Sequence, residues 1–217
     1  MMGAIASKKK MQEITGGNSS PIKSLVDMDP PQHEKYRSLT SSWFQPGNLR
    51  NFEGSIRTIA RALVADMLAT GGACDFAKLV SFRYPLLVIM LILGLPPEDE
   101  ALMLKLTQEM FGSTDPELNA RGNSTLSIKD DDAKLDLSAI TAMMQYFDKL
   151  TAERRASPTS DLASVIANAR IDGEPIPYLE MMGYYVISAT AGHDTTSAST
   201  GGAMWALAEN PGEFAKL

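Results

Sequence analysis

The feature that most constrains this chain is residues 178–209, a run framed by Pro177 and Pro211 and almost free of charge. Between Met181 and Ala208 the single formal charge at neutral pH is Asp194, with His193 before it. No proline interrupts the run, and as an α-helix of about 32 residues rising 1.5 Å each it spans roughly 48 Å. A helix apolar on nearly every face runs through a core instead of over it. A lone carboxylate on such a helix is costly unless something satisfies or uses it. Asp194 is therefore the first residue to account for.

Its neighbours narrow the question. Thr195 is placed to bond back to the carbonyl of Ala191, four residues earlier, a bond that often bends a helix. Gly192 has no side chain, so a flat ligand can approach the backbone there. A hydroxyl, a carboxylate and room beside them suit the relay of protons to a bound species. The same residues also suit a plain kink whose polar groups are satisfied, with Asp194 paired to a base elsewhere.

Composition removes several function classes. The 217 residues make one large domain or two small ones, and 44% hydrophobic content is enough for a sizeable core. A net charge of −6 and a pI near 5.0 argue against a nucleic-acid partner. The single cysteine, Cys74, excludes a disulfide framework and a Cys-rich metal site. His193 and Asp194 are sequence neighbours that point to different sides of a helix, and the only other histidine is His33, so no metal site is expected. No G-x-S-x-G elbow of a serine hydrolase occurs. Lys8-Lys9-Lys10 leads into no apolar run, so no secretory signal is expected. The apolar run at residues 84–95 is too short to span a bilayer, and residues 181–208 are rich in Ser, Thr and Gly. A cytoplasmic protein without a membrane partner is expected.

Taken in order, residues 1–27 read as a polar lead-in broken by Gly16-Gly17-Asn18 and Pro21. Residues 33–41 should be helical, which puts His33 and Arg37 one turn apart on one face. Gln45-Pro46-Gly47-Asn48 should break that helix. Residues 49–69 are amphipathic through Phe52, Ile56, Ile59, Leu63 and Met67. Residues 76–93 read as a buried helix closed by Gly94-Leu95-Pro96, and another runs from Glu98 to about Phe111. Residues 112–132 are polar and read as a long loop, either a lid or a solvated connection. Helix returns over residues 133–156, with Leu137, Ile140, Met144 and Phe147 in its stripe. Asp161 and Ser160 cap a short helix to Ala169. Residues 171–177 form a turn with room for a tiny hairpin. No strand pattern of any length is visible, so the chain is expected to be all-α.

Two motifs carry a family resemblance. Ala191-Gly192-His193-Asp194-Thr195-Thr196 resembles the oxygen-activating motif on the long central helix of cytochrome P-450 monooxygenases. Asp29-Pro30-Pro31-Gln32-His33 with Arg37 resembles that family's D-P-P-x-H-x-x-x-R segment. The helix order between them matches, and Pro85-Leu86, Gly94-Leu95-Pro96, residues 102–108 and Gly201-Gly202-Ala203 look like bacterial terpene-alcohol hydroxylases of the alpha-terpineol type. The resemblance covers residues from about Ser24 onward. It implies that Asp194 and Thr195 deliver protons to oxygen at haem iron and that Ala191 and Gly192 line the oxygen groove. It further implies that His33 and Arg37 hold the propionates of haem b, and that Ile187, Thr190 and Ala191 face a small hydrophobic substrate. Residues 112–132 would roof the entrance. A ferredoxin would supply electrons, for which five bases against one acid after Lys35 (Lys35, Arg37, Arg50, Arg57 and Arg61 against Glu53) offer a dock.

The departures from that family are large. Its haem ligand is a cysteine in a glycine-rich loop preceded by an E-x-x-R helix, and neither follows residues 178–209 in this sequence. Cys74 sits in Gly72-Ala73-Cys74-Asp75 without that pattern and reads as an ordinary thiol. Residues 28–217 are thus expected to be the central helical part of such a domain, without its strand-bearing N-terminal part and its C-terminal ligand region. Alone they are expected to be inactive. A stand-alone, non-catalytic helical interaction module is the alternative.

Overall fold

The computed structural model describes residues 5–7, 22–111, 134–136 and 138–216. Eight α-helices are found among them: α1 Gln32–Ser41, α2 Pro46–Ala69, α3 Arg83–Leu93, α4 Glu100–Phe111, α5 Ser138–Ala156, α6 Leu162–Ala167, α7 Tyr178–Glu209 and α8 Pro211–Phe214. The expected all-α class holds, and the long helix has the bounds read from sequence. Four very short strands accompany the helices. Ile5–Ser7 (β1) pairs antiparallel with Lys134–Asp136 (β2), and Arg170–Ile171 (β3) with Glu174–Pro175 (β4). The second pair is the expected tiny hairpin. The first corrects the reading of residues 134–136 as helix: their backbone is committed to a ladder, and α5 starts at Ser138. The loop expected at 112–132 lies outside the described residues.

Two further corrections concern proline. The chain does leave helix between Ser41 and Pro46, but α2 begins at Pro46 and not at the expected Leu49: the proline occupies the first turn of that helix, where a missing amide costs nothing. Pro85 does break the helix expected over 76–93. It has no amide for the carbonyl of Ser81, and the chain just before it forms a π-helical turn, Ala77–Ser81, before α3 begins at Arg83.

Helix α7 is the spine. Its first half is buried from Glu180 to Val186, with Ala189 and Thr190 following. Helix α3, all apolar after Pro85, crosses it and buries Leu86, Ile89, Met90 and Leu93. Tyr185 stacks on Phe147 of α5 with centroids 4.7 Å apart and planes 7° apart, and its hydroxyl donates to the carbonyl of Ala163 in α6. Those two contacts lock three helices together. On the other side Tyr184 donates to the carbonyl of Tyr36, tying α1 to the spine. Gly183 is required here: a Cβ would lie 2.0 Å from the carbonyl oxygen of Lys23, so the lead segment passes directly over α7.

The second half of α7 departs from the expected buried helix. His193 and Ser197 are buried, but Ala191, Gly192, Thr195, Thr196, Ala198 and Ser199 are exposed, and Trp205 is 67% exposed. Among the described residues no helix is long and apolar enough to cross a membrane.

Candidate functional site

The sequence-predicted residues fall into two groups. Ile187, Thr190, Ala191, Gly192, Asp194 and Thr195 lie together on α7, because positions three and four apart share a face. His33 and Arg37 lie on α1, His33 half-buried and Arg37 exposed. Among the described residues neither side chain has a hydrogen bond or an ion pair, and none joins them to residues 191–195. The link between the groups runs through Tyr184, whose hydroxyl is pushed up to about 12 by burial while the nearby Arg37 charge pulls the other way.

Thr195 does bond back, its Oγ1 donating to the Ala191 carbonyl at 2.8 Å. Ser199 and Thr200 repeat this pattern onto Thr195 and Thr196. These three hydroxyls thus donate to their own helix backbone while staying at its surface. Thr190, only 1% exposed, donates to the Val186 carbonyl at 2.7 Å and sits behind the face with Ile187 half-buried beside it. Gly192 is exposed, and a Cβ on it would come 3.2 Å from Ile89 Cδ1. This glycine therefore also permits the tight crossing of α3 on α7, which the sequence reading did not find.

Asp194 is not deeply buried: its side chain is 44% exposed. Burial of its inner part still raises its pKa above the ordinary aspartate value, against a smaller lowering by His193. His193 is 1% exposed. Its Nε2 lies 2.9 Å from the Phe82 carbonyl oxygen. A carbonyl only accepts, so Nε2 carries the proton and Nδ1 is bare. Burial lowers the His193 pKa, which keeps the ring neutral. Its Nδ1 is 3.9 Å from Asp194 Oδ1, too far for a hydrogen bond. The alternative of a base elsewhere pairing with Asp194 finds no such partner among the described residues. The one signal in the sequence for the His193 bond was Pro85, which marks where the backbone of residues 77–82 leaves regular helix.

Of the basic face on α1 and α2, Arg57 is paired with Glu53 at 2.9 Å and Lys35 with Asp172. Arg37, Arg50 and Arg61 are exposed and form no ion pair among the described residues. Cys74 is exposed in the turn after α2. Among the described residues no group of three or more His, Cys, Asp or Glu is placed to hold a metal.

Comparison with known proteins gives a consistent result. No protein-family model matches the chain. It is 44% identical over 205 residues to cytochrome P-450-terp from Pseudomonas sp, covering 94% of this chain and 48% of that protein. It is 32% identical over 190 residues to a steroid C26-monooxygenase of Mycolicibacterium smegmatis, covering 88% and 41%. It is 29% identical to linalool 8-monooxygenase of Pseudomonas putida, covering 88% and 44%. The solved structure of CYP108D1 from Novosphingobium aromaticivorans superposes with a TM-score of 0.76 at 46% identity, over 96% of this chain and 47% of that one. The chain spans about half the length of the curated relatives it matches. A mainly helical fold built on one long helix, a motif of alanine, glycine, acid and threonine on that helix's open face, and this level of identity agree: over its matched region the chain belongs to the cytochrome P-450 family.

Proposed function

We propose that this chain carries the oxygen-side helix and part of the substrate pocket of a haem-thiolate monooxygenase, which inserts one oxygen atom of O2 into a small hydrophobic, terpenoid-like substrate with electrons from a ferredoxin. The observation that carries this reading is the 44% identity to cytochrome P-450-terp over nearly the whole chain, with residues 191–195 on the open face of α7. The residues present fit a haem. Ala191, Gly192 and Thr195 form an exposed surface of small groups against which a flat ring can lie. Arg37, exposed and without an ion pair among the described residues, and His33, one turn earlier, suit the two carboxylates of haem b.

When bound, the haem iron supplies oxygen activation. The chain's own residues then handle protons and position. Thr195 Oγ1, which donates to Ala191 in this structure, reaches the open face by rotating about χ1 and can donate a proton there. Asp194, with its proton affinity raised by burial, takes up a proton from solvent on its exposed side and passes it towards Thr195. Ile187 and Ala191 meet substrate, with Thr190 behind them, and their apolar character suits a terpenoid. The names of P-450-terp and linalool 8-monooxygenase support that class. Arg50 and Arg61 offer an acidic ferredoxin a surface, in a cytoplasmic setting.

For the 217 residues alone the reading is no thiolate-haem activity, since Cys74 lies outside the motifs above. A reduced carbon-monoxide adduct with a thiolate-type Soret band from this chain overturns that. In a protein extending the chain to its relatives' length, Thr195→Ala is expected to consume reductant without matching product. Unchanged coupling removes Thr195 from proton delivery.

A further inference from the structure

We propose that His193 Nδ1 is the acceptor for the protonated side chain of Asp194: the carboxyl turns inward when it takes up a proton, its O–H donates to the imidazole, and it turns back to solvent when it ionises. The bond itself does not depend on the oxygenase reading; its use in proton delivery rests on that reading. The geometry fixes one half of the pair. With Nε2 donating to the Phe82 carbonyl at 2.9 Å, a neutral ring leaves Nδ1 as a pure acceptor. The residue is 1% exposed, and Nδ1 has no hydrogen-bond partner. Buried polar atoms are almost always satisfied. This one cannot swing round to find a donor, because turning the ring breaks the bond to Phe82. Among the described residues two other buried side-chain atoms lack a partner, Ser81 Oγ and Ser197 Oγ. Ser81 Oγ packs against Gly201, well beyond His193 along α7. Ser197 is one turn on from His193, and its hydroxyl makes no bond to Nδ1.

Asp194 supplies the other half. Its Oδ1 lies 3.9 Å from Nδ1. An ionised carboxylate and a bare ring nitrogen are both acceptors, so nothing draws them closer. One proton changes that. A carboxylic acid carries one O–H donor, and closing the gap to a normal bond moves the oxygen by about 1 Å. The side chain is 44% exposed and has room to make that turn. The proton stays on the carboxyl and the ring stays neutral. Burial disfavours the imidazolium at position 193 and favours the neutral acid at position 194.

The charges nearby are engaged with one another. The turn at residues 77–82 and α3 lie against this part of α7, and their ionisable groups are Lys78, Arg83 and Tyr84. Lys78 pairs with Asp75 at 3.6 Å, and Arg83 with Glu100 at 2.6 Å and Asp66 at 3.2 Å. Tyr84 lines a separate cavity beside Arg50. On α4, which also meets α7, Lys105 lies 4.0 Å from Glu109. Helices α5 and α6 meet α7 around Tyr185, about two turns back. Proton binding at Asp194 is governed by burial first and by His193 second. Asp194 thus has two positions, inward as the acid and outward as the carboxylate. In the reaction proposed above, the inward position holds the proton next to Thr195. Histidine suits position 193 because it donates to a carbonyl on one edge and accepts on the other.

The test uses the full 217-residue chain and needs no haem. The sequence has two histidines, so imidazole nitrogen NMR on a His33→Gln background reads His193 alone, and carboxyl carbon NMR follows Asp194. As pH falls, the Nδ1 resonance should move in the direction of an accepted hydrogen bond, with the same midpoint as the Asp194 carboxyl, while Nε2 keeps its proton. Asp194→Asn, whose amide is a permanent donor, should show a hydrogen-bonded Nδ1 at neutral pH. Asp194→Ala should not show one while the ring is neutral. A hydrogen-bonded Nδ1 in folded Asp194→Ala assigns the bond to Ser197 or to water and overturns the proposal. So does a ring that becomes doubly protonated at the Asp194 midpoint, and so does an Nδ1 that ignores that midpoint. Should Asp194→Ala fail to fold, the titration of the parent decides alone. None of these measurements involves oxygen chemistry, so the pair and the oxygenase reading fail separately, the latter by the coupling of Thr195→Ala.

Discussion

At the scale of single residues, the site is a place where stability is given up. Asp194 has its pKa raised by burial, so its ionised form is disfavoured in the fold. Its contribution is favourable below the unfolded value and is lost as pH rises through the folded one. At neutral pH Asp194→Asn should therefore stabilise the chain, by less than about 1 kcal/mol because the side chain is half exposed to screening solvent. Thermal denaturation at pH 7 reads the sign, and a lower Tm for the variant would show that the carboxylate has a stabilising partner. His193 works in the opposite pH sense. Its folded pKa is lowered, first by burial, so the unfolded chain binds a proton that the folded one refuses. Stability is complete above the unfolded value of about 6.5 and falls as pH drops below it, by up to about 1.4 kcal/mol per pH unit. His193→Gln, whose amide can still donate to Phe82, should flatten the denaturant midpoint against pH between about 6.5 and 5. An equal slope in the variant would assign the loss to other groups.

At the scale of elements, much was legible and the failures have local causes. The ends of α7 were readable because Pro177 and Pro211 frame an unbroken run, and the short α6 because Asp161 caps it by accepting from the Ser164 amide at 2.7 Å. The start of α2 was missed because Pro46, which reads as a breaker, sits in the first turn of that helix. The π-helical turn before α3 was missed because apolar periodicity continues across Pro85. The pairing of β1 with β2 was invisible because each strand is three residues long. The tie at the end of α3 was also beyond the sequence. Arg154 of α5, with its side chain 15% exposed, bonds Asp161 Oδ2 at 2.6 Å and the Gly94 carbonyl at 2.6 Å. Gly94 must be glycine: its φ is +66°, and a Cβ would lie 2.1 Å from Asp161 Oδ2. Arg154→Met leaves a mostly buried carboxylate unpaired and should cost about 3 kcal/mol. Gly94→Ala should cost more than about 1 kcal/mol from left-handed strain alone, before the clash. Urea denaturation of each measures this. A Met variant as stable as the parent would show that Asp161 is satisfied by Thr159 and Ser164 alone.

At the scale of the whole molecule, α7 is one helix in two environments. Residues 180–186 are enclosed by α1, α3, α5 and α6, and the stacked Phe147 and Tyr185 fix them from one side. From Ala191 onward the helix is held along the narrow stripe of His193, Ser197 and Gly201, while its small-residue side is open. The sequence showed which residues share that open side but could not show that it is open, because a small residue reads the same whether it meets a neighbouring helix or a ligand. Local stability follows the number of buried contacts, so it must fall along the helix axis. Amide hydrogen exchange of the 217-residue chain should therefore be slow at residues 180–190 and progressively faster beyond Ser197. His193→Leu, which removes the bond to Phe82, should move the boundary between slow and fast exchange towards the N-terminus of α7 by about one turn. Uniform protection along the whole helix would mean that the open face is covered, by self-association or by a bound molecule, and sedimentation of the same sample separates those two cases.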